Sequence, residues 1–114
     1  MLARTYTEAL EHAGHSVAHA AGAQSAVNAA DSKTPDIVIM ELQLPRHSGI
    51  EFLHEFRSYG EWQHIPVVVH TMLPAIRMAS IVLSLRRDLG VREVLYKPYT
   101  TLHDLVRTAR EQGS

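Results

Sequence analysis

The sequence predicts an α/β domain with a parallel sheet and helices on both of its faces, and three observations predict it. Two short apolar runs, Ile37 to Met40 and Val67 to Val69, contain no polar residue, as strands buried on both faces do. Segments with apolar residues at helical spacing precede, separate and follow these runs. Prolines and glycines fall at the joints, with Pro35 and Pro66 just before the runs and Gly14, Gly49 and Gly90 at helix ends. Alternating helix and strand implies right-handed crossovers, hence parallel strands with helices on both sides.

Taken in order, Leu2 to Ala13 reads as a helix with Leu2, Tyr6, Ala9, Leu10 and Ala13 on one side and Gly14 as its stop. His15 to Ala20 reads as a weak edge strand, because Val17 is its one large apolar residue. Ala21 to Ser32 is alanine-rich and helical, with Val27 as its best anchor. The strand Ile37–Met40 ends at an acid, Glu41; Pro45, Ser48 and Gly49 then form a loop into a helix, Gly49 to Tyr59, with Phe52, Leu53 and Phe56 inward. Trp62, Ile65 and Pro66 lead into Val67–Val69, which ends at His70-Thr71. Pro74 opens the next helix, since a first-turn proline gives up an N–H that had no partner. Met78, Ile81, Val82, Leu85 and Leu89 make its stripe. Ile76 and Leu83 fall outside it, which points either to a second packing partner or to deep burial. Gly90 stops that helix, Val94 to Tyr96 is the last strand, and Thr100 to Glu111 is a helix with Leu102, Leu105, Val106 and Ala109 inward.

Composition narrows the function. The 114 residues suffice for one core, so residues 1–114 are expected to form a single domain with no output domain; no repeat, low-complexity tract or linker interrupts them. A net charge of -1 argues against a nucleic-acid or membrane-surface binder, either of which needs a basic surplus. The absence of cysteine excludes disulfides and thiolate chemistry, and no leader or bilayer-length apolar span is seen, so a cytoplasmic protein is expected. His12, His15 and His19 are close in sequence but straddle a helix end and a strand, so they are read as solvated or hydrogen-bonded imidazoles, with no metal site. No nucleophile elbow or phosphate-binding glycine loop occurs, so Ser48 and Thr71 are not read as nucleophiles and no enzyme is expected. Glu41 stands at the carboxyl edge of a strand, where ligands bind in open α/β sheets; it is a functional acid or a solvated strand end.

The order of elements, with LPRHSGIEFL after the Glu41 strand, IPVVVHT at the next strand and VLYKPY at the last, resembles the receiver domain of bacterial response regulators from Leu2 to Glu111. The resemblance implies a flavodoxin-like fold that takes a phosphoryl group from a histidine kinase onto an aspartate. Magnesium would be held by that aspartate and by an acidic pair ending the first strand. A Ser or Thr after the fourth strand and a Lys after the fifth would grip the phosphoryl oxygens. Thr71 matches the hydroxyl position and Lys97 the lysine, with Pro98 after it. The chain departs elsewhere. Glu41 occupies the phosphoacceptor position, and Val94 stands where the family's switch aromatic is expected, three residues before the lysine. Leu2 already aligns with the first helix, so the first strand and its acidic pair are missing. The helix between Thr71 and Lys97 is longer than usual by about one turn, roughly four residues.

Receiver phosphotransfer depends on positioning and on a divalent ion that neutralises charge growing on the phosphoryl oxygens. Without two of three metal carboxylates, magnesium binding is expected to be lost or weak, and no cofactor is expected. A Glu side chain is one methylene longer than Asp, so Glu41 could approach Lys97 and Thr71 directly and mimic the modified state; the competing reading is a degenerate acid at a disused site. The expected function is an atypical receiver that signals by protein–protein interaction without phosphorylation, its partner a histidine kinase or another regulator. Two alternatives stand beside it: an active phosphoacceptor in a phosphorelay, and a flavodoxin-like module that binds a small molecule. Loss of the first strand would leave a gap beside the Glu41 strand. Either His15–Ala20 pairs with Asp36–Met40 to give a four-stranded sheet, or a second chain covers the edge; a homodimer is expected.

Overall fold

In this computed structural model residues 4–20, 23–44 and 47–113 are described. In chain order the elements are α1 (Arg4–His12), α2 (Ala23–Ser32), β1 (Val38–Met40), β2 (Gln43–Leu44), β3 (His47–Ser48), α3 (Gly49–Ser58), β4 (Val67–Thr71), α4 (Ala75–Met78), α5 (Val82–Leu89), β5 (Val91–Tyr96) and α6 (Leu102–Gly113). Short 3-10 turns at Gly60–Trp62 and Lys97–Tyr99 complete them. Leu2, Ala21 and Pro45, each read from the sequence as part of an element, lie outside the described residues.

All five residues of β4 are buried, as its run of valines requires, and it is the middle strand of a parallel sheet ordered β1-β4-β5. Val38 pairs with Val67 and Met40 with Val69 on one side, and Thr71 pairs with Tyr96 on the other. Side-chain alternation then divides the core. Val38, Met40, Val67, Val69 and Val91 meet Val27 of α2, Phe52, Leu53 and Phe56 of α3, and Leu85 and Leu89 of α5. Ile37, Ile39 and Leu95 meet Tyr6 and Leu10 of α1 and Leu105, Val106 and Ala109 of α6 on the opposite face. The predicted parallel sheet with helices on both faces is thus the observed architecture.

Among the described residues the sheet has three strands rather than the expected four. His15–Ala20 forms no strand: with Val17 alone to bury, the segment joins the α1/α6 cluster through that residue, and His19 Nε2 lies 2.8 Å from Thr7 Oγ1 of α1. β1 is therefore an edge, and its residues are half-buried where a doubly buried strand was expected. The Val38 N–H donates to the Pro66 carbonyl at 3.0 Å, and in a parallel pair alternate residues bond to one neighbour, so Ile39 directs its N–H and C=O away from β4. Among the described residues no strand pairs with that edge.

Three further expectations change. The helix opened by Pro74 is split into α4 and α5 by a turn at residues 79–81, where the Ile81 N–H closes on the Met78 carbonyl and the Ser80 hydroxyl donates to the Arg77 carbonyl, competing with the helical pattern. Its stripe, from Met78 to Leu89, faces the core as read, while Ile76 and Leu83 are 85% and 75% exposed, which rules out deep burial within the chain. Leu102 is exposed rather than inward, because it is the first residue of α6. That helix starts on a reciprocal cap: the Asp104 N–H donates to Thr101 Oγ1 and the Thr101 N–H to Asp104 Oδ2, each at 3.0 Å. Gly90 ends α5 in the left-handed conformation, φ 64°, as its position suggested. Beside it the Arg57 guanidinium donates to the carbonyls of Leu89 (2.8 Å), Gly90 (3.3 Å), Trp62 (2.8 Å) and Gln63 (3.2 Å), binding the ends of α3 and α5 with a cation where the α5 dipole favours one.

Candidate functional site

Because β1, β4 and β5 are parallel and in register, they end together, with Glu41 just past β1, Thr71 at the end of β4 and Lys97 just past β5. The hairpin β2–β3 sends the chain from Glu41 straight back into α3, pairing Gln43 with Ser48. Gly49 makes that return feasible: its N–H donates to the Leu42 carbonyl at 2.8 Å, and a Cβ on it would lie 2.6 Å from the Glu41 carbonyl oxygen. On the other flank Lys97 and Pro98 lie in the 3-10 turn. Its frame is closed by the Thr100 N–H on the Lys97 carbonyl (3.1 Å) and the Thr100 hydroxyl on the Tyr96 carbonyl (2.7 Å).

The structure brings Glu41, Thr71 and Lys97 into direct contact. Lys97 Nζ is 3.3 Å from Glu41 Oε1, which also accepts the Met72 N–H at 2.9 Å. Glu41 Oε2 accepts the Thr71 hydroxyl and, at 3.1 Å, the Gln43 N–H. Thr71 Oγ1 in turn accepts the Leu73 N–H at 3.0 Å. A carboxylate offers about four lone-pair sites; hydrogen bonds from Gln43, Thr71 and Met72 take three of them here, and the Lys97 ammonium pairs with the group as an ion. Burial alone would push the Glu41 carboxyl up, but the Thr71 hydroxyl, the Met72 and Gln43 amides and the Lys97 charge outweigh it and hold the group below its ordinary value. The cradle is thus built for an anion, and the chain's own carboxylate fills it.

Val94 is placed differently from these three. It pairs with Val69 in the sheet and packs, half-buried, on the α2/α3/α5 side of the core. The Met72, Leu73 and Gln43 amides were not legible beforehand, since backbone donors carry no side-chain signature; the turn imposed by Pro74 after Thr71 was the one available hint. Among the described residues no group of three or more His, Cys, Asp or Glu side chains is placed to hold a metal ion, and no helix is long and apolar enough to cross a membrane.

A parallel sheet with helices on both faces, and a carboxylate, a hydroxyl and an ammonium gathered at its carboxyl edge, defines an α/β domain of the flavodoxin-like class. The chain belongs to the response regulator receiver domain family, which it matches over residues 1–110. It is 34% identical over 100 residues to the transcriptional regulatory protein PdtaR of Mycobacterium tuberculosis, covering 87% of this chain and 45% of that one. Over 72 residues it is 36% identical to the Regulator of RpoS of Escherichia coli, covering 63% of this chain and 20% of that one. The chain thus spans less than half the length of these relatives. Among solved structures, the receiver domain of NtrX from Brucella abortus superposes with a TM-score of 0.79 at 25% identity, covering 95% of this chain and 86% of that one. The chemotaxis protein CheY4 of Vibrio cholerae shares the fold, with a TM-score of 0.81 at 21% identity over 96% of this chain and 87% of that one. The chain is a receiver domain of two-component signalling, and receiver domains are signalling modules that meet histidine kinases and other regulators.

Proposed function

We propose that this receiver is atypical and signals through protein–protein interaction without being phosphorylated, Glu41 standing as a degenerate phosphoacceptor that occupies the grip of Thr71 and Lys97. The observation that carries this reading is that the Glu41 carboxylate is held by three hydrogen bonds and an ion pair from its own chain. The extra methylene of Glu places its oxygens against the lysine and the hydroxyl that the family directs at phosphoryl oxygens. Magnesium would have to displace these partners from the carboxylate, which supports loss or weakening of metal binding. Val94 supplies no aromatic ring to report a change at the site, which fits a domain held in one state. The proposed partner is a histidine kinase or another regulator, met in the cytoplasm.

The test is incubation with acetyl phosphate and magnesium, followed by intact-mass measurement of the native chain. The expected result is an unchanged mass. A gain of one phosphoryl group would instead establish an active phosphoacceptor.

The unpaired edge of β1 and the exposure of Ile76 and Leu83 support a homodimer as the working form. Sedimentation across a dilution series is expected to show a dimer that dissociates only on dilution. A folded monomer at all micromolar concentrations would contradict it.

A further inference from the structure

Among the described residues, the buried side-chain nitrogens and oxygens that lack a hydrogen-bond partner are both on one ring: Nδ1 and Nε2 of His70, a residue 1% exposed. Unpaired polar atoms in a core are costly and call for a physical reason. Alternation along β4 turns Val67 and Val69 toward α2, α3 and α5, so His70 faces α1 and α6. There the Tyr6 ring of α1 meets it edge-on, with centroids 5.0 Å apart and planes at 85°. Among the described residues the titratable group in contact with His70 is Tyr6 from α1, while Lys97 beyond β5 and Glu41 beyond β1 act on the ring through their charges. From α6, packed on the same face, Leu105, Val106 and Ala109 enter the cluster, and none of them titrates.

A neutral imidazole is tolerated in this setting. An imidazolium would place a charge and two N–H donors in an apolar cluster where, among the described residues, neither ring nitrogen has a hydrogen-bond partner. The helix that covers the ring is α1, which contributes the buried Leu10 and the half-buried Tyr6 to this face and packs there against Leu105 and Ala109 of α6. We propose that His70 is a proton-operated latch for α1, holding the helix against the sheet while the ring is neutral and releasing it when the ring takes a proton. Release would uncover Ile39, Leu95 and Leu105, an apolar face that a protein partner could occupy. The latch does not depend on the role assigned to Glu41.

The sign follows from the environment of the ring. Burial pushes His70 below its ordinary value of 6.5, the Lys97 charge pushes the same way, and Glu41 opposes both. The released state therefore binds the proton more readily than the docked one. Docking is at full strength above the ordinary value, and it weakens as the pH falls below it by up to about tenfold in the docking constant per pH unit.

Amide hydrogen exchange on the full chain at about pH 7.5 and about pH 5.5, expressed as protection factors, reads this directly, since Glu41 stays ionised at both. Protection of the α1 amides is expected to fall by about tenfold at the lower pH while that of β4 holds, and the fall is expected to be absent in His70→Leu. Unchanged α1 protection in the native chain, or an equal fall in His70→Leu, would overturn the latch. Should His70→Leu fail to fold, NMR titration of the His70 and Tyr6 rings in the native chain decides. Both rings shifting together below the ordinary histidine range supports the latch. A His70 ring that titrates at its ordinary value, with Tyr6 undisturbed, overturns it.

Discussion

Glu41→Gln is expected to lower stability by about 2 kcal/mol near neutral pH, because one amide oxygen cannot serve donors that now share two charged oxygens. The new NH2 group would face the Gln43 N–H or else the Met72 N–H and the Lys97 ammonium, donor against donor, and Lys97 would lose its counter-charge. The loss should depend on pH in one direction. The Glu41 carboxyl is held below its ordinary value of 4.5, so its stabilisation is complete above that value and disappears as the pH falls through the lower folded-state value. Urea denaturation of the two chains across pH would show their midpoints converging in acid. A constant difference down to low pH would mean that the charge of Glu41 contributes nothing. Partner binding or self-association should weaken in the same variant with the fold intact, and magnesium should alter neither.

Thr71→Val is the second large effect. The side chain is wholly buried and nearly isosteric with valine, so the change isolates the hydroxyl. That hydroxyl donates to Glu41 Oε2 and accepts the Leu73 N–H, so its removal leaves a carboxylate oxygen and a backbone amide each short of a partner. The expected cost is about 1 to 3 kcal/mol. Thr71→Val and Glu41→Gln should be less than additive in combination, since both break one network. A double variant whose loss equals the sum of the two single losses would show the groups to be independent.

The polar triad was legible because each member is a side chain at a strand end: Glu41, Thr71 and Lys97 each follow or close an apolar run, and parallel strands bring such positions to one edge. The family resemblance then tied them to one site. The donors that complete the cradle were invisible, because the N–H groups of Gln43 and Met72 belong to every residue type and are set by loop geometry alone. The errors have separate physical sources. Ile37–Met40 is apolar on alternate faces and does meet helices on both, but sequence periodicity reports faces and says nothing of edges; β1 is half-buried because no strand among the described residues covers its free side. His15–Ala20 failed as a strand for want of apolar residues beyond Val17, so local pattern could not replace tertiary pairing. The break at Ser80 rests on a side-chain competition for one carbonyl, too local for helical periodicity to register. His70 looked like the end of an apolar strand, and the packing of Tyr6 against it revealed a buried ring with no hydrogen-bond partner among the described residues.

The central claim is that the Glu41 carboxylate, rather than a phosphoryl group or a metal, is the anion in the grip of Thr71 and Lys97. The most direct measurement is the carbon-13 titration of the Glu41 carboxyl resonance with and without magnesium. A midpoint below 4.5 and insensitivity to the metal are the predicted result. A midpoint at or above 4.5, or a resonance that moves as magnesium binds, would contradict the account.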